Sequence, residues 1–272
     1  MKTIVLANQK GGVGKSAIAT QLAHYFHRLS YSVLFIDLDH QQNSSRPLRL
    51  HGDVTCAAFS ACQLMDADSR PEFPKVDFLL VPGSADLSTL ERRPERHNHF
   101  ASRLRTILSE MTCFDVCIID TNPNPDIRYG SALICADYLL APIQLNQEAM
   151  EGIAALLDHP RYGLARKKAV LNARLVFLGL LPNMVEPTPF QRANLRLLIS
   201  RFSSRLLSAR TEGGEWFAQI PKRSAIAEAQ AASVFLPDLE KTAARHAWRE
   251  IRPAFELIAD RMGLGHGKRR FA

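Results

Sequence analysis

The chain has 272 residues, 46% of them hydrophobic, and a formal net charge of +7. This is enough apolar material for one large domain with a buried core, which excludes a chain too polar to fold. The absence of any run of 18 apolar residues excludes a membrane-spanning helix, and the positive balance favours an anionic partner without identifying it.

In chain order, Ile4–Ala7 is predicted as a first strand, entered so early that no room is left for a signal peptide. It runs into Lys10-Gly11-Gly12-Val13-Gly14-Lys15-Ser16, and a helix is predicted from Ser16 to about Leu29, with Ile18, Leu22, Phe26 and Leu29 at helical spacing. A strand that turns on glycines into a helix leaves backbone N–H groups unpaired and forms a cradle for a polyphosphate. Gly11, Gly12 and Gly14 let the backbone approach closely, Lys15 would reach the β- and γ-phosphates, and the Ser16 hydroxyl would hold Mg²⁺. The ordinary pattern needs a glycine where Gln9 stands, so it fails. The variant with a second lysine at the start of the loop, here Lys10, fits at every position.

Val33–Ile36 is a continuous apolar run, as expected of a central parallel strand. Gln41–Pro74 is irregular and reads as helices and loops over the sheet's edge. Further strands are predicted at Phe78–Val81, Val116–Ile119, Tyr138–Ala141, Leu175–Leu181 and near Trp216–Ile220. A helix over Arg192–Leu207 would carry Leu195, Leu198, Ile199, Phe202 and Leu206 on one face. A last helix runs roughly Ala243–Met262, with Pro253 as a kink site, and leaves a basic, flexible tail at 263–272. The alternation implies an α/β fold: a single domain over 1–262 with a parallel sheet and helices on both faces.

Ligands of open parallel sheets bind beyond the C-terminal ends of the strands. Two predicted strands end in acid, one at Asp37-Leu38-Asp39 and one at Asp120. A carboxylate placed there holds a Mg²⁺ or its water, or orients an attacking water. For Asp37 a turn-capping role stays open. Five cysteines, Cys56, Cys62, Cys113, Cys117 and Cys135, form no Cys-x-x-Cys pair and are expected as buried free thiols of a cytoplasmic protein. No iron–sulfur ligand spacing occurs among them.

These motifs together resemble the ParA/Soj-type partition ATPases of the deviant Walker A class, which also contains MinD-like proteins. The stretch Ile4–Ser16 resembles that family's opening motif, and Val33–Asn43 its second. Asp120-Thr121-Asn122-Pro123 resembles its Asp-x-Pro-Pro. Pro142, Glu148 and Glu151-Gly152 match a later run, as do Ile220-Pro221-Lys222 and Glu228-Ala229. The resemblance implies a P-loop fold and a Mg²⁺-dependent ATPase in which two protomers face each other across two ATP molecules. Lys10 would reach the partner's nucleotide, while Lys10, Gly11, Gly12, Val13, Gly14, Lys15, Ser16 and Ala17 form the phosphate site. Asn183 and Pro221 would lie against the adenine. Asp39 would position the attacking water, and Ser16, Asp39 and Asp120 would serve the metal. His40, Gln42 and Asn122 depart from the family pattern beside these carboxylates, and Ala17 stands where many members carry a hydroxyl.

The ten Lys and Arg residues between Arg161 and Arg210 are accompanied by one acid, Glu186. With the resemblance, this makes non-specific DNA the expected anionic partner, contacted by Arg192, Arg196, Arg201, Arg205, Lys222 and Arg223. A solvated amphipathic surface is the alternative for each arginine. The implied cycle is DNA segregation: an ATP-bound homodimer coats nucleoid DNA and is released when a ParB-like centromere-binding protein stimulates hydrolysis. Two other readings make different demands. A MinD-like membrane ATPase needs a C-terminal amphipathic helix in place of the glycine-bearing basic tail. A nucleotide-gated regulator needs negligible turnover.

Overall fold

The computed structural model describes the chain except for residues 68–70, 159–162 and 266–272. Seven strands form one parallel sheet: β1 (Lys2–Leu6), β2 (Val33–Asp37), β3 (Thr55–Cys56), β4 (Phe78–Val81), β5 (Val116–Asp120), β6 (Tyr138–Ile143) and β7 (Val176–Pro182). Their order across the sheet is β3-β4-β2-β5-β1-β6-β7. The nucleotide loop's strand is therefore central, hydrogen-bonded to β5 with Leu6 opposite Asp120, while β2 carries Asp37 opposite the same Asp120. This register sets the loop after β1 beside both acidic strand ends.

Strand alternation divides the core in two. Val5, Leu34, Ile36, Leu79, Cys117 and Ile119 point to one face; Ile4, Leu6, Val33, Phe35, Phe78 and Ile118 point to the other. The second face is covered by α1 (Lys15–Arg28), α9 (Ser224–Ala232) and α10 (Thr242–Arg261) through Ile18, Leu22, Phe26, Ala229, Ile251 and Phe255. The first is covered by α3 (Ala61–Asp66), α4 (His97–Ser109), α5 (Ile127–Cys135), α6 (Gln147–Asp158), α7 (Leu164–Leu171) and α8 (Pro189–Phe202). Short α2 (Ser45–Arg49) follows the loop that leaves β2.

Four expectations need correction. The helix expected to run to Leu207 stops at Phe202, and Ser203–Arg205 form a 3-10 turn. The cause lies in β7: Gly179 sits at φ 137°, and a Cβ there would meet the Leu207 amide nitrogen at 2.4 Å. The side-chain-free position lets the chain lie against the strand, where Leu207 N–H donates to the Leu180 carbonyl at 3.0 Å. Next, the strand near Trp216 is β9 (Gly214–Phe217), antiparallel to β8 (Ser208–Thr211) in a separate hairpin. The irregular stretch contributes an edge strand, β3, besides α2 and α3. Finally, Cys62 and Cys117 are buried free thiols, but Cys56 and Cys113 are exposed. Pro253 lies inside an uninterrupted α10. The predicted tail begins at Gly263, and 266–272 lie outside the described residues.

Candidate nucleotide site

Residues 7–14 carry the chain from β1 into α1. Gly12 and Gly14 take left-handed backbone conformations, with φ of 72° and 83°. Gly14 is also closed over, because a Cβ there would lie 2.2 Å from Asn183 Nδ2. Side chains bind the loop's carbonyls: Gln144 Nε2 donates to Gly12 at 3.0 Å, Asn183 Nδ2 to Val13 at 2.8 Å, and Lys15 Nζ to Lys10 at 3.2 Å. The first amides of α1 have no partner within the helix. Tied-down carbonyls and free amides at a helix N-terminus, where the macrodipole is positive, make an anion cradle.

Lys15 is buried and lies in the field of two carboxylates. Burial lowers its pKa, and Asp120 and Asp39 oppose that shift. Asp120 is fully buried at the end of β5. Burial raises its pKa to about 6, against the pull of the Ser44 and Ser16 hydroxyls and the Lys15 charge. Ser44 Oγ donates to Asp120 Oδ2, whereas Asp120 Oδ1 has no hydrogen-bond partner among the described residues. An orphaned buried carboxylate oxygen next to a serine hydroxyl fits a hard cation that takes its remaining ligands from phosphates and water, as Mg²⁺ does. Among the described residues no cluster of three or more Asp, Glu, His or Cys offers a cage independent of a nucleotide.

Asp37 organises rather than binds. Its Oδ1 accepts the Asp39 amide at 2.9 Å; its Oδ2 accepts the Ser45 amide at 2.9 Å and the Ser45 hydroxyl at 2.6 Å. Ser45 Oγ in turn accepts the Gly83 amide, so Asp37 ties together the loops after β2 and β4. Burial and the neighbouring Asp120 push its pKa up to about 7. The turn-capping alternative is therefore the one the geometry favours at Asp37. Asp39 is buried and presents Oδ1 to the Gln41 amide at 3.0 Å.

Lys10 lies at the mouth of the loop. Its Nζ donates to Asn146 Oδ1 at 3.3 Å and pairs with Glu148 at 2.9 Å, a partner whose side chain is 82% exposed. Ala17, Asn183 and Pro221 line one cavity of about 600 Å³, bounded by Ile18 and Ile226. The expected adenine contacts are thus brought together beside the phosphate loop, in apolar surroundings.

The basic residues divide into two sets. Arg192, Arg196, Arg201 and Arg205 are exposed on α8 and the turn after it. Arg192 donates to the Pro187 carbonyl, and Arg196, Arg201 and Arg205 have no ion pair among the described residues. Lys222 is instead paired with Glu186, and Arg223 makes a two-point contact with Glu250, at 2.7 and 2.6 Å. Arg161 lies outside the described residues.

Sequence reasoning missed Ser44, Ser45, Asp126 and Arg128. Asp126 was readable: it stands before an apolar run and caps α5, accepting the Arg128 and Tyr129 amides at 3.0 and 3.4 Å. The serines and Arg128 act across distant loops and carry no local signal.

The chain is similar to known proteins in sequence and in fold. A family model described as an AAA domain matches residues 1–172. The chain is 31% identical to the protein IncC of Escherichia coli, over 97% of this chain and 71% of IncC. It is also 31% identical to the chromosome-partitioning ATPase Soj of Thermus thermophilus, over 91% of this chain and 89% of Soj. Among solved structures, a plasmid partition protein of Borrelia burgdorferi bound to AMPPNP superposes with a TM-score of 0.70 at 23% identity, covering 96% of this chain and 99% of that one. An ATP complex of McdA from Cyanothece superposes with a TM-score of 0.75 at 19% identity, covering 100% and 99%. These two likenesses speak for the fold.

Proposed function

This chain belongs to the ParA-type partition ATPases, and we propose that it works as a nucleotide-gated, DNA-binding homodimer with ATP as substrate and Mg²⁺ as its metal. In this reading the loop amides from Gly11 to Ala17 hold the phosphates, and Lys15 neutralises their charge. Asn183 and Pro221 hold the adenine. Ser16 and Asp120 would hold Mg²⁺, which would supply further charge neutralisation on the phosphate oxygens. Asp39 orients a water whose oxygen bonds to the γ-phosphorus as the bond to the bridging oxygen breaks. The products are ADP and inorganic phosphate.

Lys10 leaves Glu148 and Asn146 to meet the partner protomer's nucleotide. An exposed ion pair contributes only about 0–1 kcal/mol, so this exchange is cheap. A ParB-like protein is the proposed stimulator of hydrolysis, and nucleoid DNA the proposed location. Among the described residues no helix is long and apolar enough to cross a membrane.

The observation that carries the DNA reading is the set of exposed arginines Arg196, Arg201 and Arg205 on α8 and the turn after it, without an ion pair among the described residues. Lys222 and Arg223 support it less, since each already has a glutamate partner. The test is duplex DNA binding with no nucleotide, ADP, ATP and a non-hydrolysable analogue. Binding that strengthens with ATP and the analogue is expected; equal weak binding in all four states rejects the gated dimer.

A further inference from the structure

The two departures from the family pattern nearest the carboxylates, His40 and Asn122, are joined by a buried cation. Arg128 sits in the first turn of α5 with its side chain 4% exposed. Its Nε donates to Asp126 Oδ2 at 3.0 Å, and its Nη2 donates to the same oxygen. Asn122 Nδ2 donates to that oxygen too, at 3.0 Å. In the other direction, Arg128 Nη1 meets His40 Nδ1 at 3.1 Å. Arginine has only donors, so this contact makes His40 Nδ1 the acceptor. With Nδ1 accepting from Arg128, its 3.4 Å approach to Asp39 Oδ1 sets two acceptors side by side and is not a hydrogen bond. A hydrogen-bonded chain thus runs Asn122–Asp126–Arg128–His40, from the loop after β5 to the loop after β2, where His40 directly follows Asp39.

Local stability does not call for an arginine here. A cation in the first turn of a helix opposes the macrodipole. Burying it removes hydration, and an apolar side chain of similar volume is often as stable or more so. Asp126 offsets the charge, but Asp126 already has the two α5 amides and Asn122 to satisfy it. What Arg128 adds is the reach to His40, 88 positions away in the chain. We infer that Arg128 is a positioning residue for ATP hydrolysis: by bonding His40, the chain neighbour of Asp39, it holds the loop that carries Asp39 and links the two loops that flank the reacting phosphate. This rests on the reading of Asp39 as the water-orienting carboxylate.

The test is steady-state phosphate release by the full chain with Mg²⁺, ATP and duplex DNA. Arg128→Leu should lower kcat about ten- to a hundredfold, the usual cost of losing an orienting partner, with KM for ATP within about twofold. Arg128→Lys keeps the charge without the fork and should recover only part of kcat. Because the effect passes through His40, Arg128→Leu combined with His40→Ala should be no slower than His40→Ala alone. Unchanged kcat, parallel changes in kcat and KM, or additive effects in the double variant would overturn the inference. Should Arg128→Leu fail to fold, Arg128→Lys and His40→Ala decide it: reduced kcat at constant KM supports it, and wild-type kcat in both rejects it. Asp39→Ala separates the two levels. If Asp39→Ala turns over normally, the reading of Asp39 falls and the inference with it. If Asp39→Ala is inactive while Arg128→Leu matches wild type, only the inference falls.

Discussion

The phosphate loop and helix α8 both present positive charge, yet they are built in opposite ways. Around the loop, Lys15, Asp39 and Asp120 are buried and lie in one another's electrostatic field. On α8 and its following turn, Arg196, Arg201 and Arg205 stand in solvent without an ion pair among the described residues. A buried charge that loses its partner is left uncompensated in a poorly polarisable medium, so each has its own task. Exposed charges act through their summed potential and are largely exchangeable. Lys10 is intermediate, half-buried yet paired with an exposed glutamate.

This contrast orders the experiments. The largest effect is expected for Lys15→Ala: nucleotide affinity should fall by more than about a hundredfold, in line with the 3–5 kcal/mol typical of a broken buried pair. Titration with a fluorescent ATP analogue reads it, and a change of less than threefold would remove the distinction between the two regions. Next come the two residues that act after binding. Asp39→Ala should keep ATP affinity but lose about a hundredfold in turnover, accumulating an ATP dimer. Lys10→Ala should keep monomer affinity and lose the dimer altogether, as read by light scattering.

A buried titratable group away from the site sharpens the comparison further. His24 packs against His51, Phe78 and Phe235, and burial pushes its pKa down to about 3. The unfolded chain, with an ordinary histidine near 6.5, takes up a proton that the folded protein refuses. Its contribution is therefore full above pH 6.5 and is lost as pH falls towards 3, by about 2 kcal/mol at pH 5. Urea unfolding at pH 7 and pH 5 should show wild type losing that much more than His24→Phe; an equal loss in both would show that His24 is not held neutral. The smallest single effects are expected on α8. Each arginine-to-alanine change should weaken DNA binding modestly and reduce the salt slope by about one. A change at one arginine that dwarfs the other two would mean that this face, too, contains a specified site.

What the sequence disclosed follows the same division. The loop was legible because its backbone needs glycine where φ is positive, at Gly12 and Gly14. The central strands were legible because they are apolar on both faces, and Asp120 because it ends one of them. The end of α8 was not legible: its apolar spacing continues through Leu206, and only the close approach at Gly179 shows why the helix stops at Phe202. The Arg128–His40 contact was hidden for a related reason, since it joins two loops through side chains alone. Asp126 carried a readable capping signal, but its second task, holding Arg128, did not show in the spacing.

Gly179 also has a mechanical consequence. With no side chain between β7 and Leu206–Leu207, the two backbones meet without an elastic layer. Leu207 is held to β7 there by a backbone hydrogen bond of 3.0 Å, on the stretch that joins α8 to the β8–β9 hairpin. A side chain at position 179 would force the two backbones apart, and with them the connection between α8 and the hairpin.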